Sequence, residues 1–369
     1  MNASPRTLAL VLTALLAVPA VAGAQWCSGD YFVEQGFPTA GPTETTWRVC
    51  WQMQKQFGLV VTGAWFRKDP AAPWVRIFWD ARVGEIFVPY HGNQNRFYDI
   101  KDFNWDWVPL APADCPAASG GKLLGPGPDV CKIVHDRGIA WRLDANRRLG
   151  EELVLWGAIA AANYNYVVQW TFRDDGMVVG RVAATGANYP GHPTVAHMHS
   201  PTWRLDVDLD GWPNDMVHLG THTENLPGPT ATDTAPLIAK EQGFEWKAEN
   251  FHALHVADAN LKNAKGHTSM FHLLPLRYGA QRHMEAFTKL DLWVTRWHPW
   301  EIYAADLPSF IEDGESVEKA DVVLWYTGPV HHLVRDEDRT EKDGWMAHAM
   351  GAEFQFKPHD FFDHTPLFP

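Results

Sequence analysis

Long apolar runs are nearly missing from this chain of 369 residues. The one that exists, Leu8 to Val18, is shorter than the roughly 20 residues a bilayer span needs, and nothing downstream approaches that length. Arg6 precedes it and the small residues Ala22, Gly23 and Ala24 follow it, so the stretch is expected to be an export signal cut after Ala24. The mature protein, residues 25–369, is then expected to be secreted or periplasmic, with no association with a membrane. Basic residues are also scarce: 31 Lys and Arg stand against 44 Asp and Glu, for a formal charge of −13. Such a surface repels nucleic acid and anionic lipid and mildly attracts small cations. Repeats, low-complexity tracts and a clear linker are absent, so residues 25–369 are expected to form a single domain. Cysteine is limited to four, and no C-x-x-C spacing occurs, which argues against a zinc site.

In an oxidising compartment those thiols are expected to pair. Cys27 with Cys50 and Cys115 with Cys131 are the sequence-nearest pairs among the three connectivities that four cysteines allow. Aromatic residues, by contrast, are plentiful, with 19 Trp and 19 Phe, as suits large sheets packed through their side chains. Trp47 to Trp51, Leu59 to Thr62, Trp74 to Trp79 and Gly84 to Val88 read as short strands divided by turn residues, an antiparallel meander. Val167 to Phe172 and Met177 to Ala183 flank Asp174-Asp175-Gly176, a hairpin signal. Ile238 to Asn263 is the best place for a helix. The expected fold is mainly β, a large antiparallel β-sandwich with few helices.

The chemistry concentrates between Asn163 and Asp210. Alternate residues of a strand face one side, so His197 and His199 project two imidazoles into one space, as a metal site on a sheet requires. Asp206 and Asp208 share a side in the same way, and hard cations such as calcium want carboxylates with backbone carbonyls. Farther upstream, Asp99 follows Phe97-Tyr98 on a polar loop, a candidate for a perturbed acid or base.

Several separated motifs, in order, resemble the copper amine oxidases, quinone-containing enzymes that oxidise primary amines. Ala160-Ala161-Ala162-Asn163-Tyr164-Asn165-Tyr166 lies over the family's signature Thr/Ser-x-x-Asn-Tyr-Asp/Glu-Tyr. The resemblance implies that Tyr164 is converted to topaquinone and that Asn163 orients its ring. Ala160 and Asn165 depart from the pattern, in place of a hydroxyl residue and an acid. His197-Met198-His199 resembles the family's His-x-His, and the stretch Asp321 to Arg335, counted without gaps, puts the third copper ligand on His332 and not on His331. Val88-Pro89-Tyr90 followed by Phe97-Tyr98-Asp99-Ile100-Lys101-Asp102-Phe103 resembles the family's base segment. It implies Asp99 as proton acceptor with Asp102 as the rival, Tyr90 as a hydrogen-bond partner for a quinone oxygen, and Phe97 as a channel gate. Cys115 and Cys131 align with the family's disulfide. A second metal, calcium or manganese, is implied at Asp206, the Val207 carbonyl, Asp208, Asp321 and the Val322 carbonyl. The substrates implied are a primary amine and dioxygen, the products an aldehyde, ammonia and hydrogen peroxide, and the assembly a possible homodimer. The alternative is a catalytically silent copper-binding homologue in which Tyr164 stays a tyrosine.

Overall fold

Strands such as Tyr164–Arg173 and Thr268–Pro275 alternate buried with less buried residues, with one face to bury, whereas His197–Val207 and Val322–Thr327 are buried almost continuously on both faces. The computed structural model describes residues 27–90, 95–276, 283–341 and 344–367; the expected export signal, residues 1–24, lies outside them. Among the described residues the strands form two antiparallel sheets, of ten and twelve members. The meander Thr45–Gln54, Gly58–Arg67 and Val75–Pro89 continues through His197–Val207 to Val322–Thr327 in the first sheet. At its centre the second sheet runs from Gly344–His359 through Val178–Ala187 and Tyr164–Arg173 to Asn146–Ala161. The sandwich read from the sequence is the one observed.

Both inner faces are walled by aromatics. Trp47, Trp51, Trp170 and Trp203 are fully buried there, and Trp325 is buried on the outer face of the first sheet against Phe87 and Phe287. Where an indole is buried its N–H needs a partner, and two of these find theirs on the opposite sheet: Trp170 Nε1 donates to the Leu59 carbonyl at 3.1 Å and Trp47 Nε1 to that of Arg173 at 2.8 Å. These bonds fix the sheets against each other as well as burying area.

The helix expected within Ile238 to Asn263 is not there. That stretch holds the strands Gln242–Phe244 and Ala253–Lys262 with a single 3₁₀ turn, Ala248–Asn250, between them. Ala253–Lys262 is paired on both sides, by Asp215–Glu224 and Thr268–Pro275, and two neighbours outweigh a weak local preference. The only α-helix among the described residues is Leu307–Phe310. Disulfides join Cys27 to Cys50 and Cys115 to Cys131, the sequence-nearest of the three connectivities.

Ala161 pairs with Tyr164, so Ala162 and Asn163 make a two-residue turn, with Ala162 at φ +54°. Across the next strand Gly186 stands opposite Tyr164 at φ +123°, and a Cβ there would lie 2.6 Å from the Asn163 carbonyl oxygen. Only glycine permits that approach. Gly186→Ala should therefore lower stability by about 1–3 kcal/mol, read from the urea unfolding midpoint; a midpoint equal to wild type would mean the turn does not depend on this contact.

Candidate active site

Alternation places His197 and His199 on one face of their strand, and the short antiparallel neighbour Val330–His332 sets His332 directly opposite His197. The adjacent His331 is turned to solvent while His332 is buried, so the third imidazole is the one counted from the sequence. A ring nitrogen of each of His197, His199 and His332 lies within 4.8 Å of the other two. Burial pushes His199 well below the ordinary imidazole range, with His197 and His332 adding to it; burial and then His197 pull His332 down to about 4.

Hydrogen bonding settles the tautomers of the pair. His197 Nδ1 donates to the Val195 carbonyl at 2.8 Å, which leaves its Nε2 a lone pair. Tyr166 donates its hydroxyl proton to Asp99 Oδ2 at 2.5 Å, so its oxygen accepts from His199 Nδ1 at 3.1 Å, and His199 Nε2 is also a lone pair. The two Nε2 atoms are 3.0 Å apart. Two lone pairs aimed at each other repel unless a cation stands between them. A metal about 2.0–2.1 Å from each nitrogen would see them at roughly a right angle, as tetragonal copper(II) prefers. The donor set fits copper.

Tyr164 comes from the other sheet. Its ring meets His199 edge-on at 4.9 Å, and its hydroxyl is 3.4 Å from both His197 Nε2 and His332 Nδ1. Tyr90 stacks on His197 with ring centroids 4.2 Å apart. Its hydroxyl and that of Tyr164 perturb each other's ionisation without forming a hydrogen bond of good geometry. Burial pushes Tyr90 up to about 12 and Tyr164 still higher. Asn163 holds the turn, donating from Nδ2 to the Ala187 carbonyl at 2.6 Å.

Tyr164 also borders a cavity of about 160 Å³, lined in part by Tyr90, Phe97, Asp99 and Asn163. Asp99 is buried there, whereas its rival Asp102 is exposed. Burial lifts the Asp99 carboxyl to about 7 against the hydrogen bond from Tyr166, which favours the charged form. Two residues had not been singled out from the sequence. Tyr166 links Asp99 to His199, and its place two residues after Tyr164 on one strand was the available signal. Glu85 accepts hydrogen bonds from the Ile86 and Ile100 N–H groups, both at 2.9 Å, and so pins the loop carrying Asp99. Burial raises Glu85 to about 8; an acid inside an apolar strand was its signal.

The expected second metal set is brought only partly together. Asp206 lies 3.5 Å from Arg204, and Asp208 takes Arg76 at 2.5 Å. Val207 pairs directly with Val322, and burial followed by Asp208 raises Asp321 to about 6. Asp206 Oδ2, Asp208 Oδ1 and both carboxylate oxygens of the fully buried Asp215 have no hydrogen-bond partner. Among the described residues the one acidic group whose ligand atoms all lie within 4.8 Å of one another is Glu241, Asp313 and Glu315, and the expected second-metal carboxylates do not form such a group.

Residues 130–368 match the sequence profile of "Copper amine oxidase, enzyme domain". The chain belongs to the copper amine oxidases. This copper amine oxidase is 25% identical to the copper-containing amine oxidase gamma 1 of Arabidopsis thaliana, over 84% of its own length and 54% of that protein. It is 26% identical to the histamine oxidase of Arthrobacter globiformis, over 64% and 41%. It thus spans about half the length of the curated relatives it matches. Its fold is that of the copper-containing benzylamine oxidase from Hansenula polymorpha, with a TM-score of 0.69 at 16% identity, covering 92% of this chain and 62% of that one. Family membership implies copper and a tyrosine-derived quinone, and the three imidazoles beside Tyr164 suit both.

Outer-shell partners of a ligand histidine typically hold 10–100-fold of metal affinity. Tyr166→Phe should therefore weaken copper(II) binding by about 10–100-fold with an unchanged circular dichroism spectrum, whereas His332→Ala should abolish stoichiometric binding. Wild-type affinity in the Tyr166 variant would remove that residue from the copper ligand's support.

Proposed function

We propose that this protein is a copper- and topaquinone-dependent primary-amine oxidase, converting a primary amine, water and dioxygen to an aldehyde, ammonia and hydrogen peroxide. One observation carries the reading: Tyr164 touches the copper-suited imidazoles through its hydroxyl and lines a cavity that holds a buried carboxylate. His197, His199 and His332 would hold copper, and the quinone derived from Tyr164 would supply an electrophilic carbonyl and a two-electron sink. Asp99 takes the proton from the substrate carbon next to nitrogen. At about 7 its carboxyl is basic enough to accept that proton and still charged in half the molecules near neutrality. Tyr166 holds Asp99 by one oxygen, and Glu85 holds the loop beneath it. Tyr90, packed on His197, offers its hydroxyl to the oxygen at the end of residue 164.

The departures from the family signature lie away from the imidazoles. Ala160 and Asn165 are direct cross-strand partners, and Asn165 is exposed on the face opposite to the one from which Tyr164 reaches the histidines. The two disulfides support export to an oxidising compartment, secreted or periplasmic. A hard cation such as calcium or manganese at Asp206, the Val207 carbonyl, Asp208, Asp321 and the Val322 carbonyl would satisfy the orphaned oxygens of Asp206 and Asp208. Exposed Ile139, Leu143 and Leu149 on the hairpin of Val130–Leu143 with Asn146–Ala161 support a homodimer.

Copper added in air should turn the wild type coloured and reactive to phenylhydrazine, with peroxide released on adding amine; Tyr164→Phe should bind copper and stay colourless. A wild type that binds copper without colour would leave the silent homologue as the answer. For pH, Asp99 must be ionised, so kcat/KM should fall as pH drops through about 7, and Asp99→Asn should cost about 10²–10⁴-fold. The same raised pKa means that the folded state binds more protons than the unfolded one from about pH 4 to 7, so stability declines as pH rises through that window. Asp99→Asn should accordingly be the more stable protein at pH 8 and no better at pH 4; the opposite order would contradict the burial of a charge at this position.

A further inference from the structure

The cavity beside Tyr164 is specific enough in size and lining to bear on which amine enters it; the inference rests on the amine-oxidase reading above. Its volume is about 160 Å³. A cavity of about 150 Å³ in a protein interior, lined by apolar side chains, takes up benzene. The walls here are chiefly rings. Phe103 and Trp105 stack at 4.7 Å, and Phe97 stands edge-on to Tyr189 at 5.3 Å and to Tyr90 at 6.0 Å. Such faces and edges welcome another ring, flat against one wall and edge-on to the next.

Charge is confined to one place. Among the described residues lining the cavity, Asp99 is the only carboxylate, and Asp102 is exposed. A substrate with one ammonium group can lay it beside Asp99 and leave an uncharged body among the rings. A diamine or polyamine would have to carry a second ammonium into the aromatic part, where burying an unpaired charge is strongly unfavourable.

We propose that this chain selects compact arylmethylamines, of the size of benzylamine, and discriminates against diamines and polyamines. Phe103 and Trp105 set the limit on the ring, and the absence of a second acid among the described lining residues sets the rejection of a second charge.

Two measurements test it, and they fail separately from the oxidase reading. In copper-free protein, where Tyr164 is the unmodified residue described above, calorimetry should show benzylamine binding at least about ten-fold tighter than putrescine. In copper-loaded protein, kcat/KM for benzylamine should exceed that for putrescine by at least about 100-fold. Trp105→Ala should move the preference at least about ten-fold toward 1-naphthylmethylamine over benzylamine, read both as binding to copper-free protein and as turnover. Putrescine binding or reacting as well as benzylamine overturns the proposal, as does an unaltered size preference in a folded Trp105→Ala protein. If copper-loaded protein stays colourless and oxidises no amine, the oxidase reading fails, while the order of affinities in the copper-free protein still decides what the cavity selects.

Discussion

The two imidazole lone pairs that face each other 3.0 Å apart, on His197 and His199, are the constraint around which the rest is arranged. With both Nδ1–H groups engaged at the rear no proton is left to lie between the two Nε2 atoms, and burial keeps the His199 ring from taking up a second one. The surrounding structure enforces it. One strand supplies both rings by alternation, its partner brings His332 opposite by register, and hydrogen bonds at the rear nitrogens turn the free ones inward. A one-residue slip of Val330–His332 would put exposed His331 in the pocket and His332 in solvent, so antiparallel register is itself a determinant of the metal site.

A single sheet could hold the histidines but not the chemistry. A quinone-forming ring would have to reach both the metal and the substrate, and the sandwich brings Tyr164 to the histidines from the second sheet. Tyr166 follows on the same face and reaches both Asp99 and His199, so the two share one hydrogen-bonded chain. That chain would couple the two halves of the site: a cation held by His199 would make its Nδ1–H and then Tyr166 stronger donors, which would favour the carboxylate form of Asp99. Packing bonds such as Trp170 to the Leu59 carbonyl keep the two sheets in the alignment that this chain needs.

Local pattern made much of this legible. The period-two runs, the Asp-Asp-Gly hairpin, the His-x-His pair and the count from Trp325 that separates His332 from His331 are all statements about neighbours in sequence, and the structure keeps them. What was illegible depended on neighbours in space. Glu85 is an isolated acid until Ile100 folds back onto it, and Tyr166 is a spare tyrosine until Asp99 arrives from 67 residues away. The helix expected near Ile238 gave way because two flanking strands captured Ala253–Lys262. Asp206 and Asp208 do share the burial that alternation implied, yet Arg204 and Arg76, from separate parts of the first sheet, reach them.

The two signature departures are the sharpest case of information that only the fold supplies. Read along the chain, Ala160 and Asn165 are separate losses, one of a hydroxyl and one of an acid. In the sheet they form a single cross-strand pair, and side chains opposite each other on one face interact as a unit. A hydroxyl and a carboxylate at those positions could hydrogen-bond; alanine and asparagine leave an exposed amide with a small neighbour. The change is thus confined to the outer face, while Tyr164, Tyr166 and the three imidazoles keep the geometry of the inner one. Strand alternation is what separates the two, because residue 165 cannot face outward without residues 164 and 166 facing in.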